Sequence, residues 1–166
     1  RVWDGELVPL SVDQLAEKTN AAFLALPDPV TAEVVPALVE RGVRVFDLSG
    51  TFRLRDSEQR AKWYPAASDT VASTAVYGLP EHCGDALRDA TLVACPGCYP
   101  TAALLALRPL IAADLLADDL VIDAKSGLSG AGKTPSERTH FSECHGNVAS
   151  YGIFSHRHAA EIEQEL

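Results

Sequence analysis

Apolar residues fall in short blocks divided by proline, glycine and charge, and the spacing within the blocks changes along the chain. Ala21 to Leu26 (AAFLAL) is a compact apolar run closed by Pro27-Asp28-Pro29, which predicts a buried strand followed by a turn. From Val30 to Glu40 the apolar positions Val34, Val35, Leu38 and Val39 have helical spacing, and Arg41-Gly42 predicts the stop, with Gly42 as the cap. Val43 to Leu48 (VRVFDL) predicts a second strand. Strand, helix and strand joined by short links predict a βαβ unit, hence a parallel sheet and an α/β fold.

Residues 53–90 are polar and rich in turn residues, and no regular element is predicted there. Thr91 to Cys95 (TLVAC) returns to strand character, and Pro96-Gly97 turns the chain. Pro100 opens a helix, where its missing N–H costs nothing, and Thr101 to Leu107 continue it. Leu120 to Ala124 (LVIDA) predicts another strand, with a glycine-rich loop from Gly127 to Gly132 after it. Ala159 to Leu166 (AAEIEQEL) starts a helix. There is no internal repeat and no low-complexity tract.

Composition narrows the classes. The 166 residues are 47% hydrophobic and 22% charged, as in an ordinary globular protein. A net charge of −9 leaves no basic field for nucleic acid. The opening Arg1-Val2-Trp3-Asp4 has no apolar leader, and the leucine-rich stretch from Ala102 to Ala117 is interrupted by Arg108, Pro109 and Asp114, so no membrane segment is expected. The lack of methionine and the ending at Leu166 read as a piece of a longer protein. Cys83, Cys95, Cys98 and Cys144 read as reduced thiols of a cytoplasmic protein.

Candidate chemistry centres on Cys98, between a turn and a helix start. Unpaired amides and the positive end of the helix dipole favour thiolate there, and thiolate is the form that attacks an acyl carbon. A buried, inert cysteine is the plainer alternative. Cys95 and Cys98 also form a C-x-x-C pair, open to a redox or a zinc reading; zinc needs two more ligands, and Cys83, Cys144 and the histidines are scattered, so no metal site is expected. His156 and His158 flank Arg157, and Glu161 shares a face with His158 if the helix has begun by then. Gly127 to Thr134 (GLSGAGKT) satisfies the phosphate-loop pattern of nucleotide triphosphatases, but Pro135 and Ser136 follow where that motif needs a helix. A dinucleotide-cradling loop is the preferred use.

Several segments together resemble the N-acetyl-gamma-glutamyl-phosphate reductases of arginine biosynthesis. They are FLALP (23–27), DLSGTFRL (47–54), VYGLPE (76–81), VACPGCYPTAALLALRP (93–109), DAKSGLSGAGK (123–133), HFSE (140–143) and HRHAAEIEQEL (156–166). The resemblance implies part of a Rossmann-type NADP-binding domain over residues 1–97, joined to the start of an α+β catalytic and oligomerisation domain over 98–166. It implies NADPH-dependent reduction of N-acetyl-gamma-glutamyl phosphate to the semialdehyde through a thioester on Cys98, with His158 as acid/base and Glu161 orienting it. Ser126, Gly127, Ser129, Gly130 and Gly132 are then expected along NADP(H), and Arg53, His156 and Arg157 at the substrate's anionic groups. A cytoplasmic homo-oligomer is implied for the full-length enzyme, while this stretch alone is expected to be inactive. Aspartate-semialdehyde dehydrogenase shares the Cys/His chemistry and is the close alternative. Three positions differ from the family's usual residues: Cys95 for Asn, Thr51 for Asp, and Asp28-Pro29 for His-Gly.

Overall fold

The computed structural model describes residues 5–116 and 119–166; the opening Arg1-Val2-Trp3-Asp4 and the Ala117 end of the leucine-rich stretch lie outside them. The chain divides into two compact units, Arg1–Gly97 and Cys98–Leu166.

The first unit is an α/β layer. Its helices are α1 (Val12–Lys18), α2 (Asp28–Glu40), α3 (Ser57–Trp63), α4 (Asp69–Ala72) and α5 (Pro80–Cys83), and its strands are β1 (Ala21–Leu24), β2 (Arg44–Asp47), β3 (Ala75–Tyr77) and β4 (Leu92–Ala94). The four strands form one parallel sheet in the order β1-β2-β4-β3. Ala22, Leu24, Val45, Leu92 and Ala94 form one cluster with Val34, Val35 and Leu38 of α2. Val35, Leu38, Val45 and Leu92 are fully buried there, each worth about 1.5–3 kcal/mol against exposure. α2 ends in a Schellman turn: Gly42, at φ +76°, donates to the Val39 carbonyl (2.9 Å) and Val43 donates to Leu38 (3.0 Å).

Two expectations are corrected here. Pro27-Asp28-Pro29 is not a separate turn but the entry to α2, since a first-turn proline gives up only an amide that has no helical partner. Residues 53–90 are not irregular. They hold α3, α4, β3, α5 and a 3-10 turn at Gly84–Leu87. The buried Arg60 ties this segment together by donating to the Leu54 carbonyl (2.7 Å) and pairing with Asp69.

The second unit contains α6 (Cys98–Ala112), α7 (Phe141–Cys144) and α8 (His158–Glu165), with 3-10 turns at Leu128–Ala131 and Glu137–Thr139. α6 packs on α8, burying Ala103, Leu104 and Ala160, and Arg108 reaches Glu165 at 3.9 Å. Leu120 to Ala124 is not a strand. Val121 is 96% exposed, and among the described residues no strand lies beside this run to complete a ladder. Among the described residues, no helix is long and apolar enough to cross a membrane.

Candidate active site

Cys98 is the first residue of α6 and is exposed. A helix start offers amides without intrahelical acceptors and the positive end of the dipole, both suited to an anion on or near the sulfur. The next residue, Tyr99, donates its hydroxyl to Ser126 Oγ (3.0 Å), accepts from Tyr151 (2.9 Å), and lies edge-on to both His156 and His158, with ring centres 5.4 and 5.9 Å away.

His158 begins α8 and is buried; Glu161, one turn later, is fully buried. The His158 Nε2 to Glu161 Oε1 distance is 3.7 Å, so the carboxylate faces the imidazole within ion-pair range. His156 is half-buried, its Nδ1 accepts the His158 backbone N–H at 3.2 Å, and the two imidazole centres are 4.7 Å apart. Burial, and then the Arg157 guanidinium, push His156 below its ordinary value, favouring the neutral ring. With Nδ1 accepting, that neutral ring carries its proton on Nε2. Arg157 is exposed at the N-cap of α8.

Ser126, Gly127, Ser129, Gly130 and Gly132 lie on one exposed loop wound around the 3-10 turn Leu128–Ala131. A side chain at Gly127 would project into open space, whereas one at Gly130 would press on Ser126 Oγ at 3.2 Å. A bare backbone face beside two hydroxyls suits close approach of a dinucleotide's phosphate or ribose, so the residues present fit such a group. No helix starts at Lys133-Thr134. The structural condition for a phosphate loop is therefore not met, and the nucleotide triphosphatase reading is set aside.

Arg53 belongs to the first unit, not to the unit of Cys98, His156, Arg157 and His158. It is buried and donates Nη2 to the Leu48 carbonyl at 2.8 Å, beyond the end of β2. Asp47 is fully buried there and accepts both the N–H and the hydroxyl of Ser49 at 2.8 Å. Burial pushes its carboxyl up, against the Ser49 bonds and the Arg53 charge. Burial, then the Asp47 charge, pushes the Cys95 thiol up as well. Asp28 Oδ1 accepts the Gly50 amide (3.0 Å), and Thr51 Oγ1 donates to the Asp28 carbonyl (3.2 Å). Asp28, Thr51 and Cys95 thus lie around the buried Asp47 at the carboxyl ends of the strands.

The model of the semialdehyde dehydrogenase NAD binding domain matches residues 4–90, and that of the semialdehyde dehydrogenase dimerisation domain matches residues 98–166. The chain is 49% identical over 160 residues to the N-acetyl-gamma-glutamyl-phosphate reductase of Geobacillus stearothermophilus, covering 95% of this chain and 46% of that protein. It is 46% identical to the Synechococcus elongatus enzyme of that name over 158 residues, 93% of this chain and 45% of the relative. The Bacillus cereus enzyme of that name is 45% identical over 163 residues, 96% and 47%. The chain spans about half the length of the curated relatives it matches. It belongs to the semialdehyde dehydrogenase family, and the relatives it resembles there are N-acetyl-gamma-glutamyl-phosphate reductases.

Proposed function

We propose that the full-length protein is an NADP-dependent reductase that converts N-acetyl-gamma-glutamyl phosphate to N-acetylglutamate semialdehyde and phosphate, in arginine biosynthesis. Residues 1–97 form part of its dinucleotide-binding domain, and 98–166 open its catalytic and oligomerisation domain. The observation that carries this reading is the exposed Cys98 at the mouth of α6, in the same unit as the buried His158–Glu161 pair.

In the reductive direction the Cys98 sulfur attacks the acyl carbon, the carbon–phosphate oxygen bond breaks, and phosphate leaves a thioester. Amides at the start of α6 stabilise the oxyanion of each tetrahedral stage. NADPH, when bound, supplies the hydride that reduces the thioester carbon. The carbon–sulfur bond then breaks, freeing the aldehyde and returning the electron pair to Cys98. His158 holds and transfers the proton, oriented by Glu161; such assistance is worth about 100- to 10,000-fold. His156, as a neutral N–H donor, and the Arg157 guanidinium receive the substrate's anionic groups. The Ser126–Gly132 loop holds NADP(H).

The test is Cys98→Ser in the full-length protein. Phosphate-dependent oxidation of the semialdehyde should vanish while NADPH binding stays; retained turnover would remove Cys98 from the mechanism. Comparing N-acetylglutamate semialdehyde with aspartate semialdehyde as substrate distinguishes this activity from its close cousin.

A further inference from the structure

We propose that Tyr99 is a positioning residue with two separable duties: its hydroxyl ties the Ser126–Gly132 loop to the mouth of α6, and its ring wedges His156 and His158 in place. The proposal rests on the functional reading above for what the loop and the imidazoles do.

The hydroxyl duty follows from proton counting. A phenol has one proton and can accept from another donor. Tyr99 gives its proton to Ser126 Oγ at 3.0 Å, so Tyr151 is the donor in the 2.9 Å contact with Tyr99. Tyr151 keeps that proton, because burial and the neighbouring Tyr99 push it up to about 12. Ser126 in turn hydrogen-bonds the Tyr151 hydroxyl, so the loop is tied to both tyrosines. Two contacts spanning 27 and 52 residues of sequence thus fix a loop that is otherwise exposed. Tyr151 is anchored in turn by the Arg138 guanidinium, 5.7 Å from its ring centre.

The ring duty follows from packing. His156 stands steeply tilted to three rings, with centres at 5.4 Å (Tyr99), 5.3 Å (Tyr151) and 4.7 Å (His158). His158 meets the Tyr99 ring at 73°. Edge-to-face contacts of this kind restrict rotation of both imidazoles.

Three variants of the full-length protein separate the duties. Tyr99→Phe keeps the ring and removes the hydroxyl, Ser126→Ala removes the acceptor, and Tyr99→Leu removes ring and hydroxyl together. NADPH dissociation constants and histidine ring proton resonances are measured on each. Tyr99→Phe should weaken NADPH by about two- to tenfold, the range of one neutral hydrogen bond. It should raise KM for NADPH with kcat held, and leave the histidine resonances in place. The double variant Tyr99→Phe/Ser126→Ala should bind no worse than the weaker single, since both remove the same contact. Tyr99→Leu should also shift both histidine resonances and lower kcat; Tyr99→Met serves if the leucine variant does not fold.

Wild-type affinity in Tyr99→Phe, full additivity in the double variant, or unmoved resonances without the ring would each overturn the proposal. If the unaltered protein binds no NADPH, or Ser126→Ala leaves binding unchanged, it is the functional reading of the loop that fails. The ring duty is then decided by the resonances alone.

Discussion

The two units spend their interiors differently. In the first, a continuous apolar layer between the sheet and α2 is buried, and its buried carboxylate, Asp47, is bonded at the sheet's end. In the second, the buried side chains among the described residues are Pro100, Ala103, Leu104, His158, Ala160 and Glu161, so the proposed acid/base pair is itself part of the interior. The first unit is a scaffold whose stability comes from area removed from water. The second places its chemistry where a scaffold would place leucine, and there stability and reactivity draw on the same residues.

The largest effect that tests this contrast is at Cys98. In the full-length protein Cys98→Ser should lower turnover on the order of 10^4-fold or more, as loss of a nucleophile does. Because the side chain is exposed, the urea midpoint should not move. A large midpoint shift would make Cys98 structural. Leu38→Ala is the reverse case. Leu38 is fully buried against the sheet, and its truncation should cost about 2–5 kcal/mol. The alkylation rate of Cys98 in the fraction still folded should match wild type, and a changed rate would couple the two units. Glu161→Gln lies between these cases. It should lower kcat by about 10- to 100-fold and also lower the melting temperature, since the carboxylate is buried beside His158. A fall in only one of the two would separate what the interior of the second unit combines.

The smallest effects are in pH dependence, and they have opposite signs. Asp47 is pushed above its ordinary 3.8, so its protonated form adds stability below that pH, and the contribution is lost as pH rises through the raised value. His156 is pushed below 6.5, so its neutral ring adds stability above 6.5, and the contribution is lost as pH falls through the lowered value. Relative to wild type, Asp47→Asn should therefore gain stability as pH rises from 3.8, and His156→Gln should gain as it falls below 6.5. Urea midpoints of both variants across about pH 3 to 8 check this. Parallel trends would contradict the two assignments.

The sheet's first half was legible because periodicity is a property of one segment. The apolar runs at β1, β2 and β4 and the repeat in α2 each report on themselves. β3 was not legible, since three residues are too few for an alternating pattern. The short helices of the first unit did carry a signal. Ser11 and Asp56 each precede a glutamine by three positions, and each caps its helix through that residue's amide, as a capping box predicts. Leu120 to Ala124 misled for the opposite reason. Its composition favours a strand, but a ladder needs a neighbour, and composition does not supply one.

At the site, Cys98, His158 and Glu161 stood out through motif and helical spacing. Tyr99 and Tyr151 gave no such signal, because their contact joins positions 52 apart in the sequence.

Gly50 shows that a loop glycine need not be a hinge. A methyl group there would sit 2.0 Å from the Tyr64 ring, which is itself almost wholly buried. The missing side chain is thus a socket for an aromatic plug, and its effect is stiffness rather than give. In a substitution scan, position 50 should accept no other residue. In relaxation measurements its amide, bonded to Asp28, should be as immobile as the strand before it.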